Sequence, residues 1–176
     1  SRVFCHTLGG LLHYSHRAIG LDYAHLAQAM EDLSVPDASY AQAYRRAVFN
    51  ATLSVRDDHA KNFAFMLNPF NQWDLSPAYD LTYVEGPGGH HTMTFAGGTS
   101  RDPTRDDLLR LASHYHVDEI EAARIMDEVQ SVAADIGPQA LGLGATKQTV
   151  SAITKRLGII SNALRASAHR KSRPSF

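Results

Sequence analysis

Two carboxylates, an amide and two basic side chains crowd the run Asp57-Asp58-His59-Ala60-Lys61-Asn62, and a further carboxylate, Asp80, follows two short apolar stretches. Charge at that density between apolar segments is expensive to hold near a core unless the groups serve something. Phosphoryl transfer asks for such a set. It needs a carboxylate to accept the proton of the attacking hydroxyl and an amide oxygen to hold a metal ion beside a triphosphate. It also needs a second carboxylate for metal that bridges the phosphates.

In protein kinases the base and the asparagine stand five residues apart on a loop leading into a hairpin, and the metal-binding Asp follows that hairpin. Asp57 and Asn62 have this spacing, and Asp80 has this place. The letters differ from the eukaryotic pattern, with no His-Arg-Asp before the loop and no Asp-Phe-Gly after the hairpin. Each residue also has a plainer reading. Asp57 and Asn62 are types that hydrogen-bond turns to themselves. His59 and Lys61 suit a solvated loop, and Tyr79 suits a core. Asp58 competes with Asp57 for the role of base, and spacing to Asn62 alone favours Asp57.

The elements that must position these residues are mostly helical. Leu21, Ala24, Leu26, Ala27, Met30 and Leu33 fall on one helical face that ends before Val35-Pro36. A second, largely buried helix runs through Tyr40, Ala43, Tyr44, Ala47, Val48, Ala51 and Leu53, and delivers the chain to the polar loop. Phe63 to Leu67 and Trp73 to Leu75, split by Asn68-Pro69-Phe70-Asn71, read as a β-hairpin that returns Asp80 toward the loop. Gly86-Pro87-Gly88-Gly89 marks a turn, and nothing after it supplies the lysine of a phosphate-binding loop. The alternation His91-Thr92-Met93-Thr94-Phe95 suggests a strand, as does the opening run Arg2-Val3-Phe4-Cys5. Thr104 caps a helix through Leu108, Leu109, Leu111 and Ala112. Another begins at Val117-Asp118-Glu119, with Ile120, Ala123, Ile125, Met126, Val129 and Val132 as its buried stripe, and ends at Gly137-Pro138. A last helix spans about Thr149 to Ala166. The expectation is one mainly α domain over residues 1–176 with a small β-hairpin.

Composition narrows the partners. A formal charge of −1 over 176 residues gives no global basic field for nucleic acid or anionic lipid. The short basic tail Ala168-His169-Arg170-Lys171-Ser172-Arg173 reads as a solvated end. No apolar run reaches the ~18 residues of a membrane span. The lone Cys5 excludes an internal disulfide, so a cytoplasmic setting is expected. His90, His91, His114 and His116 lack a cysteine or acidic partner at zinc-ligand spacing.

Together, Phe49-Asn50, the run Asp57-Asp58-His59-Ala60-Lys61-Asn62-Phe63 and the run Trp73-Asp74-Leu75-Ser76-Pro77-Ala78-Tyr79-Asp80-Leu81-Thr82 resemble the C-terminal domain of the bacterial HipA toxin kinases. The similarity covers roughly residues 1–135, including Thr7-Leu8-Gly9-Gly10-Leu11-Leu12, and fades beyond. It implies the C-terminal lobe of a protein-kinase-like fold and a serine/threonine kinase of toxin–antitoxin type using ATP and Mg2+. An aminoacyl-tRNA synthetase is the kind of substrate implied. By motif position, Asp57 would accept the proton, and His59, Lys61 and Asn62 would face phosphate or metal. Tyr79 would border the nucleotide and Asp80 would hold metal. A helix-turn-helix antitoxin would be the protein partner, with DNA met only through it. The loop also resembles the shorter Asp-x-His-x-x-Asn pattern of lipid kinases. Two further readings are a non-catalytic, kinase-like binding module and a metal-dependent hydrolase with Asp57, Asp58 and His59 as ligands. No glycine-rich loop or strand lysine precedes Asp57. The chain is therefore expected to form one wall of an ATP cleft, with an N-terminal lobe lying outside it, and to show little or no kinase activity alone.

Overall fold

The computed structural model describes residues 2–14 and 20–166, so the basic tail lies outside the described residues. The order is β1 (Cys5–Thr7), α1 (Leu8–Leu11), α2 (Tyr23–Asp32), α3 (Ala38–Leu53), β2 (Ala64–Leu67), β3 (Trp73–Leu75), α4 (Arg105–His114), α5 (Glu119–Ala134), α6 (Ile136–Gly142) and α7 (Lys147–Ala166). One-turn 3-10 segments sit at Ala60–Asn62 and Pro87–Gly89.

Helix α3 is the spine. Its stripe of small residues, Ala43, Ala47 and Ala51, is at most 1% exposed. With no long side chains there, neighbouring backbones approach closely, and α3 packs on α2, α4, α5 and α7. Tyr44 fills the centre and donates its hydroxyl to the Leu108 carbonyl at 3.2 Å, while Tyr115 donates to the Tyr23 carbonyl at 2.6 Å. These bonds let aromatic side chains be buried without orphaning their polar tips. Burial pushes the Tyr44 and Tyr115 phenols up, so both stay neutral donors. Among the described residues no helix is long and apolar enough to cross a membrane.

The expected hairpin is β2–β3, antiparallel with Phe65 opposite Leu75. A third strand joins it, for β1 pairs antiparallel with β2 and Cys5 lies opposite Met66. This strand lies at Cys5–Thr7, shifted from the expected Arg2–Cys5. Asn68 closes the turn by accepting the amides of Phe70 and Gln72 on Oδ1.

Three expectations need correction. His91 to Phe95 is no strand: Thr94 makes a single bridge to Asp22, and its amide and carbonyl meet Leu21 and Tyr23. The alternation is real as burial, since His91, Met93 and Phe95 point inward, but among the described residues no second strand is there to ladder with. On α5, Ile120 and Val132 are 84% and 62% exposed, and the buried stripe is Ala122, Ile125, Met126, Val129 and Ala133. The helix expected to end at Gly137-Pro138 ends earlier, at Ala134, and these two residues lie in the next helix, α6. Pro138 is the third residue of α6, where a missing N–H costs no intrahelical bond.

Candidate active site

Helix α3 ends at Ser54, held in the left-handed region at φ 54°, and this turns the chain sharply into the polar loop. The loop lies on the core through alternate residues. Asp58, Ala60 and Phe63 are 1%, 6% and 2% exposed, whereas Asp57 and Lys61 face outward and His59 and Asn62 are half-buried. Apolar anchoring thus aims the expected chemical groups away from the core.

Asp58 is committed to structure. Its Oδ2 accepts the Tyr23 hydroxyl at 2.7 Å and faces His91 Nδ1 at 2.8 Å, and its Oδ1 accepts the Thr92 amide at 2.8 Å. Asn50 Nδ2 donates to the Tyr23 hydroxyl at 2.9 Å. Burial first, then the Asp58 charge, hold the Tyr23 phenol well above its usual range, so it remains a donor. With three of its roughly four lone-pair sites engaged and 1% exposure, Asp58 is held mainly by the fold. Asp57 contrasts with it: its side chain is 61% exposed, with His59 Nε2 at 3.9 Å from Oδ1. Of the two aspartates, Asp57 is the one whose carboxylate is exposed, and Asp58 is the buried one.

Asn62 Nδ2 donates to the Asp57 carbonyl at 2.8 Å, spanning the loop. This fixes the amide's orientation and leaves Oδ1 as its outward atom. Asn62, Tyr79 and Asp80 line one small depression together with Arg46, Asn50 and Asp58, whereas Asp57, His59 and Lys61 are not among its lining residues. Wider hollows beside α4 and α5 contain no residue of the polar loop. Tyr79 donates its hydroxyl to the Lys61 carbonyl, stitching the segment after β3 to the loop; burial raises its pKa. Arg46 Nη2 donates to the Ser76 carbonyl, anchoring the start of the same segment. Asp80 is exposed and stands at φ 54°, a conformation that costs a non-glycine residue about 1–2 kcal/mol and that Asp tolerates better than most. His59 Nδ1 is buried with no hydrogen-bond partner among the described residues. Lys61 is exposed.

Among the described residues no group of three or more His, Cys, Asp or Glu side chains could hold a metal ion. The donors present, the Asn62 amide oxygen and the exposed Asp80 carboxylate, are hard oxygen atoms. They fit Mg2+, which keeps several waters and takes its remaining ligands from substrate phosphates.

Several residues that shape the site carry no local sequence signal. Asp22 caps α2 through the Ala24 amide, as an Asp before a helix should. It also accepts Thr94 Oγ1 and the amides of Ala96 and Gly97, which no spacing rule foretells. Arg56 and His91 likewise meet partners tens of residues away.

A profile of the HipA-like C-terminal domain family matches residues 1–136. A search of curated proteins finds no match. Among solved structures, the chain is similar to one from Shewanella oneidensis MR-1 described as a toxin–antitoxin system HipA, HipB and operator DNA complex. The TM-score is 0.61 at 16% identity, over 85% of this chain and 35% of that one, so this chain spans about a third of its length. With the profile covering well over half its residues and the fold agreeing, the chain belongs to the family of HipA-like C-terminal domains.

Proposed function

We propose that this chain is the C-terminal catalytic lobe of an ATP-dependent serine/threonine kinase of toxin–antitoxin type. The observation that carries the reading is the bond from Asn62 Nδ2 to the Asp57 carbonyl. It orients a metal-capable amide against the backbone of the residue that bears the exposed carboxylate, and Asn62 lines one depression with Asp80. In this reading Asp57 accepts the proton of the attacking hydroxyl, and Asn62 and Asp80 hold Mg2+. His59, Lys61 and Tyr79 border the nucleotide. ATP supplies the transferred phosphoryl group, and the metal, when bound, offsets charge on the phosphates. The burial of Asp58 weighs against a metal-dependent hydrolase built on Asp57, Asp58 and His59.

The expected partner is a helix-turn-helix antitoxin, a reading supported by the similarity to a toxin–antitoxin complex of HipA, HipB and operator DNA. An aminoacyl-tRNA synthetase is the proposed kind of substrate, and the cytoplasm the proposed setting. Calorimetric titration of the full-length protein with ATP, with and without Mg2+, tests the metal set. Binding should depend on Mg2+ and weaken about tenfold or more in Asp80→Ala and Asn62→Ala, in line with the loss of a charged or polar ligand contact. Metal-independent binding, or none, would instead favour a non-catalytic binding module.

A further inference from the structure

The residue directly before Asp57 is a buried cation. The Arg56 side chain is 4% exposed. Its Nη1 donates to the carbonyls of Glu85 and Gly89, and its Nη2 meets Asp102 Oδ1 at 2.6 Å. Its own carbonyl accepts the Thr92 amide at 3.1 Å. Arg56 thus ties the start of the polar loop to the irregular stretch that follows Asp80. Gly86 has no alternative there: at φ 68°, an added Cβ would lie 2.2 Å from the His90 carbonyl oxygen and 2.8 Å from Arg56 Cβ.

A buried guanidinium keeps its place only while its charge is answered. Among the described residues Asp102 is the carboxylate that answers it, and Asp102 is 30% exposed and outside any helix or strand. What holds Asp102 is a second cation, Arg156 of α7, whose Nη2 bonds the same oxygen. The neighbouring Leu157 joins a buried cluster with Leu53, Val55 and Ala133. Leu53 and Val55 flank the Ser54 turn that launches the loop, so α7 braces it by packing and by charge. All of α7 lies beyond the residues matched by the family profile.

We infer that Arg156 is a positioning residue for phosphoryl transfer, acting through Asp102 and Arg56 on Asp57. This rests on the kinase reading above. The test uses the full-length protein with Arg156→Ala, Arg156→Lys and Asp102→Asn, read by hydrogen exchange and by steady-state phosphoryl transfer. In Arg156→Ala and Asp102→Asn, amides in 54–58 and 84–92 should exchange about tenfold faster while those of β2 and β3 are unchanged, as expected for a local unit losing its brace. The kcat should fall about tenfold with KM for ATP within about twofold, since a small misplacement of a reacting group is felt in the chemical step. Arg156→Lys should recover at least about half of kcat, because it keeps the charge although not the fork. Faster exchange confined to α7 would overturn the inference, as would faster exchange at 54–58 with kcat unchanged. A wild type without Asp57-dependent transfer would instead overturn the kinase reading, and exchange alone would then decide whether Arg156 braces the loop.

Discussion

At Asp58 the carboxylate is bound to Tyr23, His91 and Thr92, and its burial makes each donor consequential. Tyr23→Phe removes one donor and leaves the charge short of a partner, so unfolding free energy should drop by about 1–3 kcal/mol in chemical denaturation. The Tyr23 phenol has a raised pKa in the folded state. Its contribution is therefore complete below the unfolded value near ~10 and is lost as pH rises through the folded value. Thermal melts of the wild type should fall above about pH 10, and that alkaline fall should be smaller in Tyr23→Phe. Asp57 and Asn62 were singled out by type and spacing, and the bond from the Asn62 amide to the Asp57 carbonyl joins them because they lie on one short loop. The structural task of Asp58 was not legible, since Tyr23 and His91 lie 35 and 33 residues away. Two adjacent aspartates differ only in which way the backbone turns them, and the anchoring of Ala60 and Phe63 decides that.

Helix starts were readable wherever the cap is local. The Thr104 hydroxyl accepts the Asp107 amide and Asp107 reaches back to the Thr104 amide. Thr104→Ala should lower stability by about 1 kcal/mol, measurable in urea unfolding. Helix faces were less legible. Ile120 sits in the first turn of α5 and is 84% exposed while Ala122 beside it is buried, so apolar type alone misassigned it. Ile120→Lys should change stability by no more than about 0.5 kcal/mol in the same experiment, as for other exposed positions; a loss of 2 kcal/mol would contradict the packing described above. The hairpin was legible from its two apolar runs and turn, whereas β1 needed a partner 59 residues away, with Thr7 paired to Ala64 across a span of 57.

On the scale of the whole molecule, one helical core around α3 carries a loop, a three-stranded sheet and a stretch pinned by Asp22, Arg56 and Asp58. The depression holding Asn62, Tyr79 and Asp80 is small, and in the kinase reading it belongs to one wall of a cleft. We expect the isolated chain to transfer phosphate at least about a hundredfold more slowly than the full-length protein, since positioning and exclusion of water both need the opposite wall. Phosphate release and protein phosphorylation, assayed side by side for the two forms, check this. The central claim is that Asp57 is the base of a phosphoryl-transfer set, and single-turnover transfer from ATP by full-length Asp57→Asn tests it most directly. Transfer should fall by about 10²–10⁴-fold while Mg2+-dependent ATP binding stays within about twofold of wild type; transfer at the wild-type rate would contradict it.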